Sequence, residues 1–331
     1  MSSPSKLRSL ISWVVLAGIL VAGGFLWENK TVVADEFRLI GYTPPAPVAT
    51  LSKNIEFTNQ GQRDFYASHP QIEEKSSFNK SCGNIEIHAT ILGCYTVYSI
   101  YIYNVTDSRL NGVQEVTAAH ETLHAAYARL SGSQKGSLDA MLQRQYDAMS
   151  GDTAFINRFS VYNSLSQSDK LNELHSILGT EVMTLSSELE NYYKQYFNDR
   201  SVVTGFYKAY QGQFDSLRNQ QTALKSRIDA LKAQIDSDEA RYQTDRTAFN
   251  NDIQSFNQRA NSGGYSSQDQ FNSDRGALVV RSQHLNQMAA AINSNIDAYN
   301  TAIKEYNKLS IQTQDLQNSL DSNSVESTPA V

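Results

Sequence analysis

Residues 113–130 read VQEVTAAHETLHAAYARL, and this stretch decides how the rest of the chain is interpreted. Its apolar and small residues recur at spacings of three and four, which is the pattern of an amphipathic helix. These residues are Val116, Ala119, Leu123, Ala126 and Leu130. A Ser-Gly pair follows at 131–132 and favours a helix end there. The sequence therefore predicts one helix over residues 113–130.

Three side chains in this helix can bind a metal ion or transfer a proton: His120, Glu121 and His124. Residues four apart share a helix face, so the two imidazoles can bind one metal ion, and His-Glu-x-x-His is a zinc-binding motif. Glu121 is not a ligand in this motif, but its carboxylate can take a proton from a zinc-bound water that attacks a peptide carbonyl. We expect a Zn2+ cofactor and a catalytic role for Glu121 as general base. The plain alternative is two surface histidines on an ordinary helix.

A catalytic zinc ion usually has three protein ligands, and no third histidine follows at short spacing. The stretch NELHS at 172–176 resembles the gluzincin peptidases, the thermolysin-like class. In that class the third ligand is a Glu on a second helix, often preceded by Asn and followed three residues later by a small residue. The resemblance implies Glu173 as a metal ligand, with Glu181 as the second candidate. The acid that the class usually carries next is replaced by Ile177, which leaves the partner of one histidine unidentified.

The resemblance also implies the fold class, an α+β zincin-like metallopeptidase domain, which we place at residues 28–205. Alternating residues predict two strands, 85–91 and 95–105, and the second is where the class binds an extended substrate. His175 could serve catalysis by donating to the oxyanion, or could be a surface histidine of a helix. Further helices are predicted at residues 59–67, 134–149, 168–178 and 187–197, and an extended spacer at 43–46.

Residues 206–320 differ in composition from the preceding domain. Apolar residues step by three and four in two arms on either side of an Asn-Ser-Gly-Gly-Tyr break at 261–265. This pattern predicts a long antiparallel helical hairpin, a coiled coil, interrupted in its first arm by Gln221, Asp238 and Asp245. Such a hairpin could bind a protein partner or a second copy of the chain. Residues 321–331 are polar, and we expect a disordered tail.

The N-terminal thirty residues predict the location of the protein. Lys6 and Arg8 precede an uncharged apolar run from about Leu10 to Trp27. This run predicts a signal anchor at residues 8–27, long enough to cross a bilayer, after a cytoplasmic N-terminus at residues 1–7. The expected location is the cell membrane, single-pass, with the bulk of the chain outside the cell. The alternative is a secreted protein, cleaved after Ala34. In an oxidising compartment the two cysteines, Cys82 and Cys94, would form a disulfide.

The net charge of the whole chain argues against one class of partner. A formal net charge of -6 without a basic cluster argues against nucleic acid as a partner. The first hypothesis is a membrane-anchored zinc-dependent endopeptidase that hydrolyses an extended polypeptide. The alternative is a non-catalytic surface scaffold or adhesin, in which the coiled coil does the binding. A hydrolase of cell-wall peptide cross-links would keep the same chemistry and change only the substrate.

Overall fold

The computed structural model describes residues 30–83, 91–96 and 99–322. The chain divides into two compact units, the first formed by residues up to Gln213 and from Leu316, the second by Phe214–Asp315. In chain order the helices are α1 Lys30–Leu39, α2 Ala46–Asn54, α3 Asn59–Ala67, α4 Lys75–Cys82, α5 Val113–Arg129, α6 Gly132–Ala148, α7 Thr153–Phe159, α8 Gln167–Thr180, α9 Ser187–Tyr193, α10 Arg200–Asn261 and α11 Gln268–Leu320. Short 3-10 turns occupy Ser108–Leu110 and Ser160–Tyr162.

Local sequence explains where the helices begin. Ser131 accepts from the backbone N–H of Gln134, whose side chain returns a bond to the Ser131 N–H, so α6 starts with a capping box. Ser166 caps α8 in the same way, by accepting from the backbone N–H of Asp169. Gly112 precedes α5 with φ of 96°, and a Cβ there would lie 2.8 Å from the Cβ of Phe206. The start of α5 therefore needs glycine for both backbone conformation and space.

The described sheet has three strands, β1 Gln71–Glu73, β2 Gly93–Thr96 and β3 Ser99–Tyr103, in the order β1-β3-β2. β1 runs parallel to β3, and β2 pairs antiparallel with it, so that Thr96 lies opposite Ser99. The predicted strand at 95–105 is thus wrong: its residues are shared between two paired strands. The predicted partner strand at 85–91 falls outside the described residues except for Ile91, which lies in no strand.

The first unit packs around α5 and α8. Leu123 on α5 and Leu178 on α8 are fully buried, each contributing about 1.5–3 kcal/mol through burial. Gly179 lets the helices approach, because a Cβ at this position would lie 2.3 Å from Cδ1 of Leu123. A disulfide between Cys82 and Cys94 ties the end of α4 to β2 and packs against Phe78.

The predicted α+β, zincin-like fold class is wrong. Of the described residues 77% are helical, and the sheet that they form contains only three strands of three to five residues. The physical reason lies in residues 93–103, whose high strand propensity suggested an extended sheet. That propensity is satisfied locally, by pairing β2 with β3, while the core itself is built between helices.

The predicted single-pass membrane location is also corrected. Within the three described ranges, no helix combines the length and the apolar character that crossing a bilayer requires. The two longest helices fail this test because charged residues such as Lys225 and Asp229 recur along them. The predicted anchor at residues 8–27 lies outside the described residues, as do residues 323–331 of the predicted tail.

The second unit is formed by the facing parts of α10 and α11, which run antiparallel. The side-chain amide of Gln221 donates to the hydroxyls of Ser310 and Thr313, at 3.4 and 3.3 Å. Toward the connection, Arg259 pairs with Asp274 at 2.9 Å. Gln221, a polar interruption of the apolar seam, therefore finds polar partners across it, which favours one register of the helices.

Candidate metal centre

Two helices bring three potential ligands together. His120 and His124 lie one turn apart on α5, and Glu173 extends from α8. The close approach of these helices at Gly179 sets the distance across which Glu173 reaches the histidines. Among the described residues, these three form the one group of His, Cys, Asp or Glu side chains whose ligand atoms converge, all within 4.8 Å of one another.

The separations of the three ligand atoms fit a tetrahedral ion. The Nε2 atoms of His120 and His124 are 3.0 Å apart. Nε2 of His120 lies 3.6 Å from Oε2 of Glu173, and Nε2 of His124 lies 3.4 Å from the other oxygen, Oε1. A tetrahedral zinc ion with bonds of about 2.0–2.2 Å keeps its ligand atoms about 3.3–3.6 Å apart. Two separations fall in this range and the third lies just below it. Two imidazoles and one carboxylate are also a donor set that zinc accepts while leaving one position open.

The state of the Glu173 carboxylate suits a ligand. Burial raises its pKa, but the charges of His124 and His120 and a hydrogen bond from His120 outweigh burial, so the pKa is lowered overall. Glu173 is therefore ionised at neutral pH. Ionisation is what coordination to a cation requires.

Glu121 lies beside the triad, with its side chain inside the protein. Burial raises the pKa of Glu121 to about 7, and the Glu173 charge adds to this; the charge of His124 and the backbone N–H of Tyr95 act in the opposite direction. β2 makes room for this carboxyl at Gly93, where a Cβ would lie 2.9 Å from Oε1 of Glu121. A carboxyl group with this pKa can both accept and release a proton near neutral pH.

The triad opens onto a cavity of about 290 Å³. Its walls come from β2 and the residues before it, from α5 and α8, and from the start of α10. The lining residues are Ile91, Leu92, Gly93, Cys94, Tyr95, Val116, Thr117, His120, Glu121, His124, Tyr162, Asn172, Glu173, Glu181 and Tyr210. Sequence reasoning did not find Tyr162 or Tyr210. No local motif marks them, since they reach the cavity from a 3-10 turn and from a long helix.

Glu181, the second candidate for the third ligand, lies in the cavity wall but outside the triad. Its Oε2 atom is 3.5 Å from Nε of Arg158, and Tyr207 donates a hydrogen bond to the carboxylate. Burial raises the pKa of Glu181, while Arg158 and His120 lower it. The ligand set that the geometry assembles is thus completed by Glu173.

His175 lies away from the cavity, although the sequence offered it as a catalytic residue. It is fully buried, and its ring stacks on Tyr193 and contacts the edges of Tyr192 and Tyr196. Burial, with smaller contributions from the charges of His124 and His120, lowers the pKa of His175 to about 3. The Leu123 carbonyl has the opposite effect, yet neither ring nitrogen makes a hydrogen bond of regular geometry. His175 is therefore a neutral core residue behind the triad.

The sequence left the hydrogen-bond partner of one histidine unidentified, and the described residues do not supply one for Nδ1 of His124. Nδ1 of His124 is buried and makes no hydrogen bond. Ile177 stands where the resemblance would place an acid, and it belongs to the apolar core. On the same helix, Oδ1 of Asn172 and Oγ of Ser176 are likewise buried without a partner. Polar atoms without partners thus cluster on the two helices that carry the triad.

A buried ionic cluster holds the end of α5. Arg129 donates to both carboxylate oxygens of Asp35, at 2.7 and 2.9 Å, and lies 3.7 Å from Asp64. Burial raises the pKa of Asp64 to about 6, a hydrogen bond from Gln60 and the charge of Arg129 lower it, and Asp35 raises it. This cluster joins α1 and α3 to the helix that carries both histidines.

Comparisons of the chain with protein-family models, with curated proteins and with solved structures give no match. A proposal for the function therefore rests on the geometry of the site residues.

Proposed function

We propose that this protein is a zinc-dependent peptidase, with His120, His124 and Glu173 as the metal ligands and Glu121 as the general base. The proposal rests on one observation above all: one ligand atom from each of three suitable side chains lies within 4.8 Å of the other two, at the wall of a cavity and next to a carboxyl group of raised pKa. On an ordinary helix surface two histidines would be exposed, whereas these side chains are only 17% and 11% exposed and face an acid from another helix.

Different residues of the site would have different roles in peptide hydrolysis. When bound, zinc would lower the pKa of a coordinated water toward neutrality and polarise the substrate carbonyl. Glu121 would accept the proton of the attacking water and pass it to the departing amine. Its pKa of about 7 suits both transfers. Tyr162 lines the cavity, and burial, followed by the Glu173 charge, raises its pKa. It stays protonated and can donate to the carbonyl oxygen as negative charge develops.

The substrate that best fits this cavity is an extended peptide. β2 is an outer strand of the described sheet, and Gly93 to Tyr95 line the cavity beside Glu121. A peptide can lie along such a strand with its scissile carbonyl held at the triad. The cavity, at about 290 Å³, is at the small end of ligand pockets, so it suits one substrate residue rather than a folded domain.

The test is zinc content together with peptide cleavage for the wild type and for Glu121→Gln. We expect one zinc per chain in both, and a kcat/KM about 10²–10⁴-fold lower in the variant. Glu115→Gln, on the same helix but accepting from Asn54 outside the cavity, is the matched control and should cleave normally. Cleavage that survives Glu121→Gln would show that Glu121 is not the base.

A non-catalytic binding protein is the second candidate, favoured by the 62- and 53-residue lengths of α10 and α11. Zinc bound by the wild type, with no cleavage across a broad peptide library, would support this function instead of the peptidase.

A further inference from the structure

A second polar group faces the same cavity, and the proposed chemistry leaves it without a role. Glu181 follows directly after α8, and its side chain is only 17% exposed. Two tyrosines, Tyr162 and Tyr210, line the same cavity as Glu181. Burial is the largest cause of the raised pKa of each tyrosine, and the negative charge of Glu181 contributes to both shifts. A carboxylate and two aromatic side chains thus line the same cavity.

The existing cation partner of Glu181 lies toward solvent. Nε of Arg158 lies 3.5 Å from the Glu181 carboxylate, and the Arg158 side chain is 45% exposed. Its guanidinium group lies over the rings of Tyr207 and Phe155, at 5.5 and 5.8 Å. Arg158 does not line the cavity. Glu181 itself lines the cavity, so its side chain borders the space where a substrate would lie.

The charge balance of the cavity favours a positive group there. Its described lining contains three carboxyl groups, Glu121, Glu173 and Glu181, and neither lysine nor arginine. A bound divalent ion would offset Glu173 and Glu121, because one is a ligand and the other lies beside the triad. Glu181 remains, with a contact to Arg158 at 3.5 Å and a hydrogen bond from the uncharged hydroxyl of Tyr207. Carboxylates flanked by aromatic faces are suited to ammonium and guanidinium groups.

We propose that Glu181 recognises a cationic group of the peptide substrate, an ammonium or guanidinium, with Tyr162 and Tyr210 flanking it. This inference rests on the proposed function, since Glu181 shares its cavity with the metal triad. The cation is either a lysine or arginine side chain or the free amino terminus of the peptide. The role makes Glu181 a specificity residue rather than a ligand or a base.

The test measures peptide binding to the zinc-loaded Glu121→Gln protein, so that turnover does not interfere. The probes are acetylated, amidated hexapeptides of alanine and glycine, carrying one lysine or its neutral isostere norleucine at each position in turn. We expect lysine to bind about tenfold tighter than norleucine at one position. Adding Glu181→Gln should remove that difference. If the amino terminus is the group recognised, the preference will instead separate unacetylated from acetylated peptides and will depend on Glu181 in the same way.

Two further variants sharpen the result. Glu188→Gln is the matched control, because Glu188 also pairs with an arginine, Arg144 at 2.7 Å, but lies exposed outside the cavity; it should keep the preference. Arg158→Gln removes the competing cation and should strengthen binding of the lysine peptides. Tighter binding of glutamate-containing peptides that disappears in Arg158→Gln would overturn the proposal, because the pair would then recognise an anion.

Failure of this inference is distinguishable from failure of the proposed function. Zinc binding and cleavage by the wild type, with no preference that depends on Glu181, would overturn the inference and leave the peptidase standing. A Glu181-dependent preference for cations, in a protein that binds zinc without cleaving, would support the cation subsite and overturn the peptidase. Thermal unfolding of Glu181→Gln, compared with Glu188→Gln, checks that a lost preference is not a lost fold.

Discussion

Polar side chains lie inside the protein between α5 and α8, whereas in residues 214–315 they lie mainly on the surface. Glu121, His124 and His175 are buried, and several of their polar atoms have no hydrogen-bond partner. In the second unit, Lys225 and Asp229 pair at 3.0 Å one turn apart, with both side chains more than 60% exposed. The contrast shows that burial of polar groups, and not the number of charges, distinguishes the candidate site from the second unit.

The largest expected effect concerns Arg129, because buried and exposed ion pairs should differ most in how much they stabilise the fold. The Arg129 side chain is 10% exposed, and it neutralises two carboxylates that are more deeply buried, Asp35 and Asp64. Arg129→Met should lower the free energy of unfolding by about 3–5 kcal/mol, because both acids lose their partner. The control is Arg144→Met at an exposed pair with Glu188, where we expect a loss of at most about 1 kcal/mol. Denaturant unfolding measures both, and equal losses would remove the contrast.

Zinc should stabilise the folded state through the triad. At a free concentration about one hundred times Kd, a ligand specific for the folded state adds about 2.7 kcal/mol. His124→Ala should abolish this gain, since it removes one of three ligands. His284→Ala, at an exposed position of α11, should leave it intact. Thermal unfolding with and without zinc tests this, and a gain retained by His124→Ala would place the zinc elsewhere.

The pH dependence of stability should report Asp64. Its pKa is raised from 3.8 to about 6 by burial, so the folded state holds this proton more tightly than the unfolded state. The resulting stabilisation is fully present below about pH 4 and is lost as pH rises through about 6. Two units correspond to about 2–3 kcal/mol. Asp64→Asn should flatten the stability profile between pH 4 and 6, measured by denaturant unfolding across that range. An unchanged slope would show that other groups titrate there.

The smallest effect is expected in the second unit. Lys225→Gln breaks an exposed i,i+4 pair with Asp229. Because solvent screens this pair, the free energy of unfolding should change by less than about 0.5 kcal/mol. A loss as large as that of Arg129→Met would contradict the distinction between the two regions.

Features with a local cause could be predicted from the sequence. The periodic stretch at 113–130 forms a helix that ends one residue earlier than predicted, and the predicted helix at 59–67 has the expected bounds. The segment at 43–46 was predicted to be an extended spacer, but α2 already begins at Ala46, since proline is tolerated in the first turn of a helix. Short amphipathic helices such as α4 and α7 were missed, because their periodicity covers two turns at most.

The site shows the same division between local and distant causes. His120, Glu121 and His124 share one helix, so helical spacing alone groups them. Glu173 came from a resemblance in its immediate neighbours, and the structure brings it to the histidines. The burial of His175 and the position of Glu181 could not be predicted. They depend on tertiary contacts, such as that of Glu181 with Arg158, 23 positions earlier in the chain.

The most direct test of the metal centre compares zinc binding by Glu173→Gln and Glu181→Gln, with the metal environment measured by X-ray absorption. Both variants remove one carboxylate from the same cavity. The geometry predicts one zinc per wild-type chain, bound by two imidazole nitrogens and a carboxylate at about 2.0–2.2 Å. Affinity should fall sharply in Glu173→Gln and stay near the wild-type value in Glu181→Gln. The reverse order, or a wild-type chain that binds no zinc, would contradict the assignment.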